Sequence, residues 1–125
     1  MASWPSGELD RIGRLKEIEI SSERSNGELR RWTPIWVVRA GDELYVRSGG
    51  GAEGGWYRYA VRSPVHIRTA GVEQRVRLEL QTDPSVQSEV DRVYRKKYRF
   101  SPFRRFLLSA AAQSTTSRLV PEWPE

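Results

Sequence analysis

Cysteine is absent from this sequence, and histidine occurs once, as His66. Without cysteine the chain can form no disulfide, bind no metal through thiolates and use no thiol in catalysis. A single imidazole excludes a multi-histidine metal site, so we expect no metal. The longest nearly apolar run, residues 106–112, is far shorter than the roughly 20 residues of a membrane-spanning helix. The N-terminus lacks the pattern of a signal peptide, so we expect a cytoplasmic protein with no membrane partner.

The residues that are present are typical of one small globular domain. The chain has 125 residues, of which 38% are hydrophobic and 30% are charged. This length suffices for one hydrophobic core and not for two. We therefore expect a single domain over residues 1–125, with residues 1–14 and 122–125 as peripheral ends.

The positive charge is concentrated in one segment. Residues 92–105 contain seven basic side chains and no acidic one, whereas the whole chain has a net charge of +5. This segment could meet an anion. It also contains Tyr94, Tyr98, Phe100 and Phe103, with Phe106 next to it, and such a mixture can bind nucleic acid. The helical spacing of the valines and tyrosines favours aromatics that point inward, which makes nucleic acid an unlikely partner.

Alternating polar and apolar residues predict most of the strands. Residues 30–38 predict one strand, and its apolar run at 35–38 makes it a central strand buried on both faces. Asn26-Gly27 predicts a hairpin turn before it. Asp83-Pro84 predicts the start of a helix. Short links between strands favour antiparallel pairing. The fold class is therefore α+β, mainly β: a small antiparallel barrel of five or six strands with flanking helices. The other predicted strands are 17–20, 44–47, 65–68, 72–80 and 115–120.

One local pattern could hold a phosphate group. The strand that ends in Arg47 and Ser48 enters a loop with five glycines between residues 49 and 55. A guanidinium, a hydroxyl and open backbone N–H groups together can bind phosphate. Trp56 and Tyr57 follow and could stack on a planar ring. The alternative is a flexible glycine loop without a ligand, with Trp56 in the core and Tyr57 at its rim.

Six short segments together form a recognisable pattern between about Leu15 and Pro121. They are IWVVR at 35–39, GD at 41–42, LYVRS at 44–48, WYR at 56–58, YRxKY at 94–98 and TTxRLVP at 115–121. In these segments the chain resembles the domain-of-unknown-function family 2255, which is bacterial.

That family in turn resembles the flavin-binding split barrels, and among them the deazaflavin-dependent nitroreductases. In those proteins a strand ends in serine, a Gly-Gly loop follows, and a Trp-Tyr pair opens a short helix against the cofactor. Ser48, Gly49-Gly50 and Trp56-Tyr57 match this layout in order. The resemblance implies a split barrel, a homodimer, and FMN or a deazaflavin as cofactor. It implies that Arg47 and Ser48 hold the phosphate with Lys97 or Arg31 as helpers, while Trp56 and Tyr57 border the ring.

Two functions follow from these observations. The first is a flavin- or deazaflavin-dependent oxidoreductase that acts on a small molecule, since the cofactor would supply the redox chemistry. The second is a non-catalytic ligand-binding or interaction module on the same barrel. Where the nitroreductase pattern has a His-Asn pair after Trp-Tyr, this chain has Arg58-Tyr59, and this departure favours the second function.

Overall fold

The structure is a computed structural model that describes residues 3–69 and 72–122, and its centre is one antiparallel sheet of seven strands. Five helices flank the sheet, and a short 3₁₀ turn covers Gly51–Glu53. The strands are β1 (Glu17–Ser22), β2 (Thr33–Trp36), β3 (Val38–Ala40), β4 (Glu43–Val46), β5 (Val65–Thr69), β6 (Val72–Leu80) and β7 (Ser117–Pro121). The helices are α1 (Ser6–Gly13), α2 (Gly55–Ala60), α3 (Pro84–Lys97), α4 (Arg104–Leu107) and α5 (Ala110–Gln113).

The sheet closes nearly into a barrel. Its strand order is β2-β1-β5-β6-β7-β4-β3, so β2 and β3 occupy its two ends. These end strands are consecutive in the chain and are separated only by Val37. The two ends of the sheet must therefore lie beside each other, which bends it into a barrel. This confirms the predicted mainly β barrel with flanking helices.

The predicted number of strands was too low, because the single strand predicted at 30–38 contains β2 and the start of β3. We expected one central strand, but β2 ends at Trp36 and β3 begins at Val38. Both are end strands, and Pro34 within β2 lacks the N–H group that a central strand would use. The run at 35–38 is apolar because one part faces the barrel interior and another lies beneath α3. Ile35 and Val37 belong to the interior cluster, whereas Val38 packs with residues of α3.

The barrel interior holds the main hydrophobic core. Helix α1 contributes to it, although we expected residues 1–14 at the periphery: Leu9 and Ile12 are buried there. The indole N–H of Trp4 also donates to the carbonyl of Leu119 at 2.8 Å. Burial of these side chains removes apolar area from water and fixes α1 against the barrel. Residues 123–125 lie outside the described part, so the expectation for 122–125 and the single domain remain predictions.

A second hydrophobic cluster joins α3 to the outside of β3 and β4. Val38 and Tyr45 from the strands pack against Val90, Tyr94 and Tyr98, which the sequence predicts as the buried stripe of the helix. The start of α3 is also as predicted. The carboxylate of Asp83 accepts a hydrogen bond of 2.8 Å from the backbone N–H of Ser85, and Pro84 is the first helical residue.

Candidate functional site

The glycine loop lies between β4 and α2, and three of its five glycines are constrained by close contacts or by a positive φ. Gly51 has φ of +72°, which L side chains rarely adopt. Gly54 has an ordinary φ, but a Cβ atom there would lie 2.2 Å from the hydroxyl oxygen of Ser48. A Cβ at Gly50 would lie 3.3 Å from the Cα of Gly54. The loop is therefore closely folded on itself beneath α2.

Arg47 is buried within the protein and does not face an open phosphate site. Its side chain is 0% exposed and pairs with the carboxylate of Asp91 at 2.6 Å. Its Nε donates to the hydroxyl of Thr116 at 2.8 Å, and its terminal nitrogens donate to the carbonyl of Leu107 and the amide oxygen of Gln87, both at 2.9 Å. All three guanidinium nitrogens thus have protein partners, which indicates a structural role that the sequence pattern did not reveal.

Ser48 is also buried, beside Arg47. Its backbone N–H donates to the hydroxyl of Thr115 at 2.8 Å, which joins the loop to the turn between α5 and β7. Its own hydroxyl oxygen has no hydrogen-bond partner among residues 3–69 and 72–122. This oxygen lies directly against Gly54, at the position where a larger residue would place its side chain. The loop glycine, and not open solvent, therefore covers the hydroxyl.

The Trp56-Tyr57 pair divides between surface and interior. Trp56 is half-buried, packs against the interior cluster and contributes to the walls of two clefts. Tyr57 is buried, and its ring meets that of Trp56 edge-on at a centroid distance of 5.6 Å. Of this pair, Trp56 alone has a surface that a ligand in these clefts could contact.

The larger cleft, here called the arginine cleft, lies between β1, the start of β2 and α2. Its volume is about 480 Å³. It carries three guanidinium groups, and no carboxylate belongs to its walls within the described residues. The walls are formed by Ile20, Ser21, Ser22, Arg24, Arg30, Arg31, Thr33, Gly55, Trp56, Tyr59 and Ala60.

The three arginines of this cleft differ in how they are held. Arg30 donates to the carbonyl of Glu23 at 2.7 Å, and its guanidinium lies 4.2 Å from the centroid of the Tyr59 ring. Arg24 and Arg31 are exposed, and no side-chain acceptor for either is seen in the described part of the chain. Two guanidinium groups are therefore free to pair with an anion beside a third that is fixed in place.

The second cleft, here called the aromatic cleft, is on the other side of Trp56. Its volume is about 300 Å³. Gly49 belongs to its wall, so the loop predicted as a site does reach a cleft. Its walls are formed by Glu17, Pro34, Ile35, Trp36, Arg47, Gly49, Trp56, Phe103, Phe106 and Leu107. Flat apolar side chains of this kind suit a planar ring.

Lys97 contributes to neither cleft. Its ammonium donates to the carbonyl of Val37 at 2.6 Å, and the hydroxyl of the neighbouring Tyr98 donates to the same carbonyl at 3.1 Å. The Tyr98 ring is stacked on that of Trp36 at 3.8 Å. Burial lowers the pKa of the Lys97 ammonium to about 8. The side chain therefore secures the link between β2 and β3.

We expect Lys97 to make the protein more stable as the pH rises from about 8 to about 10. In the unfolded chain its pKa returns to roughly 10.4, so the unfolded state keeps a proton that the folded state has released. Above about pH 10 the trend reverses, since burial raises the pKa of Tyr94 and Tyr98. Urea unfolding across this range should show the rise in wild type and in the exposed control Lys96→Met. An equal rise in Lys97→Met would contradict this assignment.

The prediction that the aromatics of the basic segment point inward was wrong for the phenylalanines. Tyr94 and Tyr98 are buried as expected, but Phe100, Phe103 and Phe106 are 88%, 60% and 46% exposed. The physical reason is that α3 ends at Lys97, so the helical stripe does not continue into the turn that follows.

Sequence reasoning thus placed Arg31, Trp56 and Gly49 at clefts. Arg47 also belongs to the wall of the aromatic cleft, but its guanidinium is paired within the protein. The remaining expected site residues lie in the fold around the clefts: Ser48, Gly50, Tyr57 and Lys97. Sequence reasoning missed Arg24 and Tyr59. The available signal was the Arg30-Arg31 pair beside a predicted strand. In the described chain no group of three or more histidine, aspartate or glutamate side chains could hold a metal ion. No described helix is long and apolar enough to cross a membrane.

Comparison with known proteins gives a family and a fold. The pattern of the family described as "Uncharacterized protein conserved in bacteria (DUF2255)" matches residues 8–119. A search of curated proteins finds no match.

Several solved structures have the same fold. A conserved hypothetical protein from Mycobacterium tuberculosis superimposes with a TM-score of 0.64 at 14% identity, covering 98% of this chain and 83% of its own. An FAD binding protein from Mycobacterium smegmatis gives 0.60 at 14% identity, with 98% and 93% covered. An F420 reductase gives 0.54 at 14% identity, with 96% and 97% covered.

Proposed function

We propose that this chain, which belongs to the DUF2255 family, binds a phosphorylated flavin-type cofactor, FMN or a deazaflavin, and acts as an oxidoreductase on a small substrate. Structures with the same fold include an FAD binding protein and an F420 reductase, which supports a cofactor of this class. The observation that carries the proposal is the arginine cleft. It combines free guanidinium groups, hydroxyls and the Trp56 ring in one cavity of the barrel surface.

The residues of the two clefts fit such a cofactor. In the proposal, Arg31 and Arg24 pair with the phosphate beside the fixed guanidinium of Arg30. Trp56 and Gly49 border the ring on the side of the aromatic cleft. The cofactor supplies the hydride chemistry, while the protein binds it, orients it and excludes water from one side of it.

The other expected site residues do not contact the cofactor in this proposal but hold the surrounding structure in place. Arg47 holds α3 and Thr116, the residue before β7, against the end of β4, and Ser48 packs beneath Gly54. Gly50 allows the loop to fold closely, Tyr57 supports Trp56 from the interior, and Lys97 secures Val37. In this proposal they shape the clefts, and the phosphate contacts come from the segment between β1 and β2.

We expect the purified protein to bind FMN or a deazaflavin and to do so more weakly when Arg31 or Trp56 is removed. Loss of a charge-assisted hydrogen bond lowers affinity by roughly ten- to a hundredfold, so Arg31→Ala should have an effect of this size. The measurement is the visible absorbance and fluorescence of the ligand on titration with protein. The matched control is Arg14→Ala, which removes an exposed arginine outside both clefts.

Riboflavin, which lacks the phosphate, separates the two parts of the proposal. It should bind more weakly than FMN to wild type and equally to wild type and Arg31→Ala. If the protein binds FMN but neither Arg31→Ala nor Trp56→Ala weakens the binding, the cofactor site lies outside these two clefts. A colourless protein that binds neither FMN nor a deazaflavin would overturn the cofactor proposal.

A non-catalytic ligand-binding module is the second candidate, and the surroundings of Tyr59 favour it. The guanidinium groups of Arg30 and Arg58 lie 4.2 and 5.0 Å from the centroid of this ring. Tyr59 is therefore engaged by cations rather than open for stacking on a cofactor. Saturable binding of other phosphate esters, without binding of flavins, would support this candidate.

A homodimer and a cytoplasmic location remain part of the proposal. The dimer is expected by analogy with split barrels. Light scattering of the purified protein, which gives its molar mass in solution, tests the dimer directly.

A further inference from the structure

The turn after α3 and the start of α4 form an exposed surface, here called the aromatic–basic surface. Phe100 is 88% exposed and Phe103 is 60% exposed. Large apolar side chains with so much contact with water commonly mark an interaction site when they are grouped. The surface consists of Arg99, Phe100, Phe103, Arg104, Arg105 and Phe106.

The charge of this surface is not neutralised by neighbouring acids. The carboxylates that precede it on α3 already have partners, since Glu89 pairs with Arg92 at 2.6 Å and Asp91 pairs with Arg47 at 2.6 Å. One exposed acid, Glu17, lies near this surface, since it lines the aromatic cleft together with Phe103 and Phe106. It is one negative charge beside the three arginines of the surface. The surface therefore combines a net positive charge with apolar rings and should attract an anionic partner.

A neighbouring ring or guanidinium lies over one face of each phenylalanine ring, while the side chains as a whole stay exposed, and this favours a lipid surface over single-stranded nucleic acid. Phe103 and Phe106 face each other with centroids 6.4 Å apart and planes 23° apart. Guanidinium groups lie 4.9 Å from the Phe100 centroid and 5.1 Å from the Phe106 centroid. Bases need open ring faces on which to stack. Insertion into the boundary between headgroups and acyl chains needs only apolar bulk beneath cationic groups.

We propose that the aromatic–basic surface binds anionic lipid membranes peripherally. Phe100 and Phe103 enter the interfacial layer, and Arg99, Arg104 and Arg105 contact the phosphate groups and carboxylates of the lipid headgroups. No helix needs to cross the bilayer. This proposal departs from our expectation of no membrane partner. That expectation rested on the absence of a long apolar run in the sequence.

The test is co-sedimentation of the full chain with vesicles of phosphatidylcholine alone and of phosphatidylcholine mixed with phosphatidylserine. Binding should require phosphatidylserine and weaken as salt is raised. Arg99→Glu with Arg104→Glu should lower the affinity by at least tenfold, since each basic residue near such a surface contributes roughly fivefold. Phe100→Ala should also weaken binding, whereas Leu80→Ala, an exposed apolar residue on β6, should not.

The altered residues of the aromatic–basic surface are separate from the cofactor clefts. Phe103 and Phe106 line the aromatic cleft, and neither is changed in these variants. The variants should therefore bind FMN as wild type does, so an FMN titration distinguishes a failure of the membrane proposal from a failure of the cofactor proposal. Equal binding to both kinds of vesicle, or to neither, would overturn the proposal. Tight binding of a single-stranded oligonucleotide in place of the vesicles would identify nucleic acid as the partner instead. Conversion of a dimer to a monomer by Phe100→Ala would assign the surface to a second copy of the chain.

Discussion

Arg47→Ala is expected to lower the free energy of unfolding by about 3–5 kcal/mol, because it leaves the Asp91 carboxylate without its buried counter-ion. The Arg47 side chain is completely buried and pairs with Asp91 at 2.6 Å. It also donates to Gln87 and Thr116 at 2.9 and 2.8 Å, so its removal leaves further polar atoms unsatisfied. Urea unfolding monitored by tryptophan fluorescence gives the free energy directly.

Two further variants show whether the ion pair is the cause. Asp91→Asn removes one charge of the pair with little change in shape. Replacing both partners, as Arg47→Met with Asp91→Leu, should recover much of the stability because no charge then remains buried alone. Arg95→Ala, an exposed position on α3, should change stability by no more than about 0.5 kcal/mol.

The outcome also tests the predicted phosphate role of Arg47. An arginine on an open phosphate site would cost little stability when replaced in the ligand-free protein. If Arg47→Ala unfolds at the same urea concentration as wild type but no longer binds FMN, the structural role assigned to this side chain is wrong. Arg47, at the end of β4, would then be assigned to the phosphate, as the resemblance implies.

Gly54→Ala is expected to destabilise the protein by about 1–3 kcal/mol through overpacking. The new Cβ would lie 2.2 Å from the Ser48 hydroxyl oxygen and 3.1 Å from the carbonyl oxygen of Gly51. Gly54 has φ of −56°, which alanine adopts readily, so the effect is steric and not conformational. The measurement is again the free energy of unfolding in urea.

Ser48→Ala supplies the second half of this experiment. The Ser48 hydroxyl is buried with no hydrogen-bond partner in the described chain, so its removal should be neutral or slightly stabilising. The double variant Ser48→Ala with Gly54→Ala should then be less destabilised than the sum of the two single variants, since the closest contact is gone. Gly55→Ala is the matched control, because nothing lies within 4 Å of a Cβ there. Additive effects in the double variant would contradict the proposed contact.

Local patterns in the sequence were enough to predict the mainly β class, the antiparallel pairing and the α3 helix. The signals are the alternation in β5 and β6, the Asn26-Gly27 turn, and the Asp83 cap with Pro84. Each depends on neighbours in the chain, so each is visible in the order of residues. The resemblance to the DUF2255 family rests on such short segments too, and the match over residues 8–119 confirms it.

Which charged residues are free depends on the tertiary structure alone. Arg47 and Arg31 each lie at or near one end of a predicted strand, and the neighbouring residues in the sequence do not show which of the two is buried. The partners of Arg47 come from residues 40 to 69 positions away, and they bury it, while Arg31 remains exposed at a cleft. Long-range contacts also divide residues 30–38 into β2 and β3. The division is determined by closure of the barrel and by the packing of α3 on β3. Burial and charge pairing are determined by contacts between residues far apart in the sequence, so they cannot be predicted from a local sequence pattern.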